Sequence, residues 1–238
     1  MGMPQILEST PRIRPTPAPA TNSIGAFLFD VDGVLADTAR LHEAAWRRLA
    51  IREGLSLDTD TARSLRGLSR SDSLRRVLGQ RRVTQHRFNE LMEQKNCDYL
   101  RQVEQLTPTD VLPGSSELLE ELPGFGIRVA AVSASCNARP VLDRLGLLDR
   151  FAAVVDGTDD VSTTGHRFLS ASAVLRVEPS RCVVVEDSTT GAAAARQFGM
   201  KCLGLGDATA LCMATMVFES LRGVDARSLL RWLTRTPH

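Results

Sequence analysis

The order of hydrophobic and polar positions divides the chain into stretches of different period. Residues 1–23 carry Pro4, Pro11, Pro15, Pro17 and Pro19 without periodic apolar positions, the pattern of a flexible leader. An apolar run, Ala26-Phe27-Leu28-Phe29, follows and closes in Asp30-Val31-Asp32-Gly33-Val34, which predicts a buried strand ending in a turn. Leu41, Ala45 and Leu49 then recur at helical spacing, and residues from about 60 to 104 stay polar, periodic and almost free of glycine. That stretch predicts a helical insert. From Val111 onward, β-rich runs (Ile127–Ser133, Ala152–Val155, Cys182–Glu186, Cys202–Leu205) alternate with helical ones (Val141–Leu147, Phe168–Leu175, Ala192–Phe198). Such alternation predicts a parallel α/β sheet, whose right-handed crossovers leave the functional edge beyond the carboxyl ends of the strands.

Composition narrows the setting. With 238 residues, 43% of them hydrophobic, the chain can bury a large core. Its 29 lysines and arginines are interspersed with 28 acidic residues, so no basic block draws it to nucleic acid. No run approaches the roughly 20 apolar residues of a membrane span, and residues 1–23 lack the apolar middle of a secretory signal. Cys97, Cys136, Cys182, Cys202 and Cys212 form no C-x-x-C pair, which predicts reduced thiols and a cytoplasmic protein.

Chemistry gathers at three strand ends. Alternation along a strand sends Asp30 and Asp32 to one side, and the turn at Gly33 leaves both at the sheet edge. Two carboxylates so close raise each other's pKa unless a cation neutralises them, so the pair implies Mg²⁺ and phosphoryl transfer, one carboxylate attacking and the other moving protons. Ser133 ends the second run with a hydroxyl, and the small residues Ala134 and Ser135 could hold phosphate through their amides. Glu186-Asp187 end a third run with hard oxygen ligands. An acidic pair after a strand is commonly only a helix cap, and a lone serine only a turn former. Their joint occurrence at successive strand ends favours a site.

On these residues, over about 24–235, the chain resembles the haloacid dehalogenase superfamily and its β-phosphoglucomutase-like branch. The resemblance implies a Rossmann-like core of residues 24–38 and 108–238 with a helical cap at 39–107. It implies that Asp30 is the phosphorylated nucleophile, Asp32 the general acid/base and Ser133 the phosphate-binding serine. Magnesium would be held by Asp30, the Asp32 carbonyl, Glu186 and Asp187. In the insert, Arg66-Gly67-Leu68-Ser69-Arg70-Ser71-Asp72-Ser73 resembles the family's substrate-reading loop, with Gly67, Arg70 and Ser73 at the sugar phosphate. By the same resemblance Gly33, Thr38 at the hinge, His42, Trp46, Lys95 and the Ala134, Ser135 and Asn137 loop contact substrate. The implied enzyme is a monomer interconverting β-glucose 1-phosphate and glucose 6-phosphate.

One stretch departs from the family. Phe168-Leu169 align with the end of a segment that normally begins with lysine, and Ser162 stands at that lysine's place. Lys95 and Lys201 are the only lysines in the chain, leaving Arg167 or Arg139 as substitutes. Losing a charge-stabilising group commonly costs about 10²–10³ in rate, which implies slow turnover. The same core serves a sugar-phosphate or small-metabolite phosphatase, and the departure raises a third reading, a weakened sugar-phosphate-binding regulator.

Overall fold

The structure, a computed structural model, describes residues 23–65, 68–158 and 164–235; of the leader only Ser23 is among them. Six parallel strands form one sheet in the order β3-β2-β1-β4-β5-β6. They are β1 (Ala26–Asp30), β2 (Arg128–Val132), β3 (Ala153–Val155), β4 (Cys182–Glu186), β5 (Lys201–Leu205) and β6 (Met216–Phe218). Strands β1 to β5 fall where the β-rich runs predicted them. Strand β6 was not legible: three half-buried residues carry too little period to stand out.

Both faces of the sheet are covered, which is why its strands read as continuous apolar runs. In β1, Phe27 and Phe29 face one hydrophobic cluster with Val183 and Val185 of β4, whereas Ala26 and Leu28 face another with Cys182 and Val184. Helices α5 (Ser115–Glu121), α6 (Ala138–Arg144) and α9 (Ala226–Arg235) bury leucines and valines in the first cluster. Helices α7 (Thr164–Leu175) and α8 (Thr189–Gln197) pack on the second. The chain leaves β1 toward β2 on one side and β4 toward β5 on the other. Ligands of such sheets bind outside the carboxyl ends where the order reverses, here at Asp30 and Glu186.

Between β1 and β2 the chain inserts α1 (Ala39–Arg52), α2 (Thr59–Arg63), α3 (Arg70–Leu78) and α4 (Gln85–Val103). Asp58, Ser69 and Thr84 cap the last three, each accepting a bond from an amide of the first turn. Trp46, Leu49, Leu74, Val77 and Leu91 make a hydrophobic cluster of the insert's own, while Leu41, Ala45, Tyr99 and Val103 join the cluster beneath the sheet. The two crossings to and from the insert run side by side, with Ala36 bridged to Val111 and the Leu112 amide donating to the Leu35 carbonyl at 2.8 Å. Among the described residues no helix is long and apolar enough to cross a membrane.

Candidate active site

Asp30 is the last residue of β1, and the ordered strand stops there. Alternation therefore does not place Asp32, as the sequence suggested. The chain turns, Asp32 bridges to Ala36, and the carboxylate returns to the same cleft because side chains hold it. The Thr38 hydroxyl donates to Asp32 Oδ1 at 2.5 Å, and the Ser133 hydroxyl donates to Oδ2 at 3.3 Å. Thr38 is wholly buried at the entry to α1, so it acts on the cleft through Asp32.

Asp30, Glu186 and Asp187 bring carboxylate oxygens within 4.8 Å of one another. Two glycines permit it. A Cβ on Gly33, at φ 86°, would lie 2.1 Å from Asp187 Oδ2, and one on Gly191 in α8 would lie 1.8 Å from Glu186 Oε1. Glu186 accepts from the Ser188 amide at 2.7 Å and the Ser188 hydroxyl at 3.1 Å, and Ser188 caps α8 by accepting from the Gly191 amide at 3.0 Å. Burial, then the neighbouring Glu186, Asp32 and Asp187, holds the Asp30 carboxyl well above the usual carboxylate range. Burial and Asp187 push Glu186 up to about 8. Three hard oxygen donors that repel one another in a backbone cradle fit a divalent cation of the magnesium kind.

Across the cleft stand His42, Trp46, Arg70, Ser73 and Lys95. Lys95 is 1% exposed, with its Nζ 2.6 Å from His42 Nδ1 and 4.9 and 4.8 Å from the ring centres of Trp46 and Tyr99. His42 stacks on Tyr99 at 3.9 Å and sets Nε2 3.6 Å from Asp32 Oδ1. Burial, with the charges of Lys95 and Arg70, lowers the His42 pKa well below its usual value. That shift favours the neutral ring; with a protonated Lys95 donating to Nδ1, the ring proton lies on Nε2, the nitrogen facing Asp32. Burial raises the Asp32 pKa, against the opposing Thr38 bond, Lys95 charge and Ser133 bond.

Most residues singled out from the sequence therefore meet in one cleft: Asp30, Asp32, Ser133, Ala134, Ser135, Glu186 and Asp187 from the sheet edge, and the five from the insert. Three do otherwise. The buried Asn137 lies outside the lining and its amide donates to Asn96 Oδ1 of α4 at 2.8 Å, tying insert to sheet edge. The Ser135 amide, expected at phosphate, donates to the Ser133 hydroxyl at 3.0 Å. Gly33 serves as the backing of Asp187. Gly67 and the Ser162 position fall outside the described residues. The sequence left Arg167 open as a substitute cation; it is 4% exposed and lines the cleft. Arg139 is exposed, absent from the lining and donates to the Val154 carbonyl at 3.2 Å.

A Rossmann-like parallel sheet with two carboxylates after β1, a serine after β2 and an acidic pair after β4 defines an aspartate-dependent hydrolase or transferase class. The sequence matches the haloacid dehalogenase-like hydrolase family over residues 24–199, and the chain belongs to that family. A β-phosphoglucomutase of Bacillus subtilis is 36% identical over 81% of this chain and 88% of its own length. A fructose-1-phosphate phosphatase of Escherichia coli is 31% identical over 73% of this chain and 92% of its own. The crystal structure of a Clostridium difficile β-phosphoglucomutase superposes with a TM-score of 0.84 at 32% identity, covering 88% of this chain and 97% of that one.

Proposed function

We propose that this chain is a cytoplasmic, magnesium-dependent sugar phosphomutase working through an aspartyl phosphate, with residues 39–107 as its cap, and that β-glucose 1-phosphate and glucose 6-phosphate are its substrate and product. The observation that carries the reading is the two-ended cleft. Nucleophile-bearing carboxylates occupy the sheet side, and the cations Lys95 and Arg70 occupy the insert side. A sugar carrying phosphate toward each end matches both, whereas hydrolysis of a simple monoester needs only the first.

In this mechanism an Asp30 oxygen attacks phosphorus and the bond from phosphorus to the sugar oxygen breaks. Asp32, whose raised pKa favours a retained proton, gives that proton to the departing oxygen. The second hydroxyl of an incoming sugar monophosphate then loses its proton to Asp32 and attacks the aspartyl phosphate, freeing Asp30 and giving a sugar phosphorylated at both ends, which turns over in the cleft and passes its other phosphoryl group to Asp30 by the first step. Thr38 keeps Asp32 at the cleft through both steps, and the single hydroxyl proton of Ser133, donated to Asp32 in the ligand-free cleft, is given to a phosphoryl oxygen when substrate binds. Asp30, Glu186, Asp187 and the Asp32 carbonyl would hold magnesium, which when bound neutralises the carboxylates and the transferring group. Neutral His42, flanked by Lys95 and Asp32, orients the acid/base without adding charge beside it.

A coupled assay that follows glucose 6-phosphate formation and free phosphate release from one β-glucose 1-phosphate sample tests the reading. Glucose 6-phosphate without stoichiometric phosphate supports a mutase. Phosphate alone makes the chain a phosphatase, and neither product, with ligand-induced stabilisation, makes it a binding protein.

A further inference from the structure

Helix α1 turns one stripe toward the cleft. Ala39, His42, Glu43 and Trp46 recur at the spacing of a single helix face, and all four line it. His42 and Trp46 are engaged there by Lys95. Glu43 has a different partner. Arg47 Nε donates to Glu43 Oε1 at 2.8 Å, and Nη2 of the same guanidinium lies 2.8 Å from the same oxygen. The remaining nitrogen, Nη1, donates to the Leu57 carbonyl at 3.1 Å in the stretch between α1 and α2. Glu43 Oε2 is left without a partner among the described residues.

An acidic residue paired with an arginine one turn on ordinarily decorates an outer helix face and contributes little. This pair differs in place and in anchorage. Glu43 stands on the cleft stripe, both side chains are half-buried, and Arg47 is tied to backbone at its far end, so the free oxygen is held in position. Glu43 is also the one carboxylate that the insert brings to the lining among the described residues. The neighbouring Trp46, Leu65 and Leu68 offer no acceptor, and the His42 Nδ1 is taken by Lys95. Sugar hydroxyls are donors and need an acceptor when they leave water. A bare carboxylate would repel a phosphate drawn to Arg70 and Lys95, but the Arg47 charge cancels that of Glu43 and leaves its acceptor.

We propose that Glu43 is a specificity-determining residue whose Oε2 accepts a hydrogen bond from a ring hydroxyl of the bound sugar phosphate, with Arg47 as its positioning residue. This rests on the sugar-phosphate reading above and narrows it. The substrate carries a free hydroxyl on the side facing α1, and a phosphate ester that lacks the hydroxyl, or bears a carboxylate there, is rejected.

The test uses the full chain with magnesium, β-glucose 1-phosphate and the analogues that each lack one ring hydroxyl, with sugar 6-phosphate and free phosphate read separately. In the unaltered protein one analogue should lose about tenfold or more in kcat/KM. Glu43→Ala should lower the parent sugar to the level of that analogue and leave the analogue nearly unchanged, so that the penalty disappears. Glu43→Gln, which keeps an acceptor, should restore part of it. A glutamate that merely steadies α1 would lower every substrate alike and leave the penalty standing. That result, or an unaltered protein indifferent to every ring hydroxyl, would overturn the proposal. The penalty is a ratio and is read from either product. Free phosphate as the sole product, with a penalty that Glu43→Ala removes, would defeat the mutase reading and support Glu43's role. Sugar 6-phosphate formed with an unchanged penalty would defeat Glu43's role alone, and consumption of none of the series would overturn both.

Discussion

The ammonium of Lys95 sits 2.6 Å from His42 Nδ1, and this single contact fixes which nitrogen of His42 faces Asp32. Burial and the charge of Arg70 outweigh Asp32 and lower the Lys95 pKa to about 7. Above that pH the folded protein holds Lys95 neutral while the unfolded chain keeps it protonated, so stability contributed here rises with pH toward the ordinary lysine range. An arriving anion reverses the preference. Binding glucose 6-phosphate at pH 8 should take up about one proton more in the unaltered protein than in Lys95→Met, read by calorimetry in buffers of different ionisation enthalpy. Equal uptake by both proteins would remove Lys95 from phosphate binding.

Thr38 touches the chemistry only through Asp32. Thr38→Val keeps the shape and removes the donor, leaving a buried carboxylate short of one bond. A hydrogen bond to a charged group contributes ~1.5–3 kcal/mol, so turnover should fall by about tenfold or more. The pH at which Asp32 loses its proton should move upward. A pH–rate profile unchanged in shape would contradict the assignment of Asp32 as the titrating group.

Asp30 and Glu186 have folded pKa values above their unfolded ones, Glu186 at about 8. Such carboxyls bind more protons folded than unfolded between roughly pH 4.5 and 8, so metal-free protein should lose stability as pH rises through that window. Magnesium should cancel the loss, raising Tm strongly at pH 8 and little at pH 5. Thermal melts with and without magnesium check this; an equal rise at both pH values would separate the carboxylates from metal binding.

Arg70 stands on the insert side of the cleft, at the start of α3. Arg70→Ala removes a guanidinium able to grip the distal phosphate through two oxygens. Use of sugar phosphates should fall by about tenfold or more, while hydrolysis of a small aryl phosphate changes little. Equal decreases on both substrates would show that the insert does not read the sugar.

Asp30, Ser133 and Glu186-Asp187 were legible in the sequence because each closes an apolar run, and their joint occurrence at successive strand ends outweighs the cap or turn role each would have alone. Thr38 was legible only as a position between elements, since nothing in one dimension shows a hydroxyl reaching back six residues to Asp32. The same holds for Gly191, whose missing side chain matters because Glu186 leans over the first turn of α8. Asn137 and Asn96 lie 41 positions apart, and each alone reads as an ordinary polar residue. Arg167 and Arg139 were equal candidates for the missing lysine in the sequence, since an arginine in a helical stretch ordinarily lies on a solvated face; burial at the sheet edge singles out Arg167. Lys95 likewise reads as a surface lysine until Trp46, Tyr99 and His42 enclose it.

The account rests on Asp30 as the group that takes the phosphoryl. Acid-quenched protein incubated with magnesium and acetyl phosphate, digested and mapped by mass spectrometry, tests this most directly. A phosphoryl adduct on Asp30, absent from Asp30→Asn and slow to form but present in Asp32→Asn, is the result predicted. An adduct on Ser133 or another residue, or full turnover by Asp30→Asn, would contradict it.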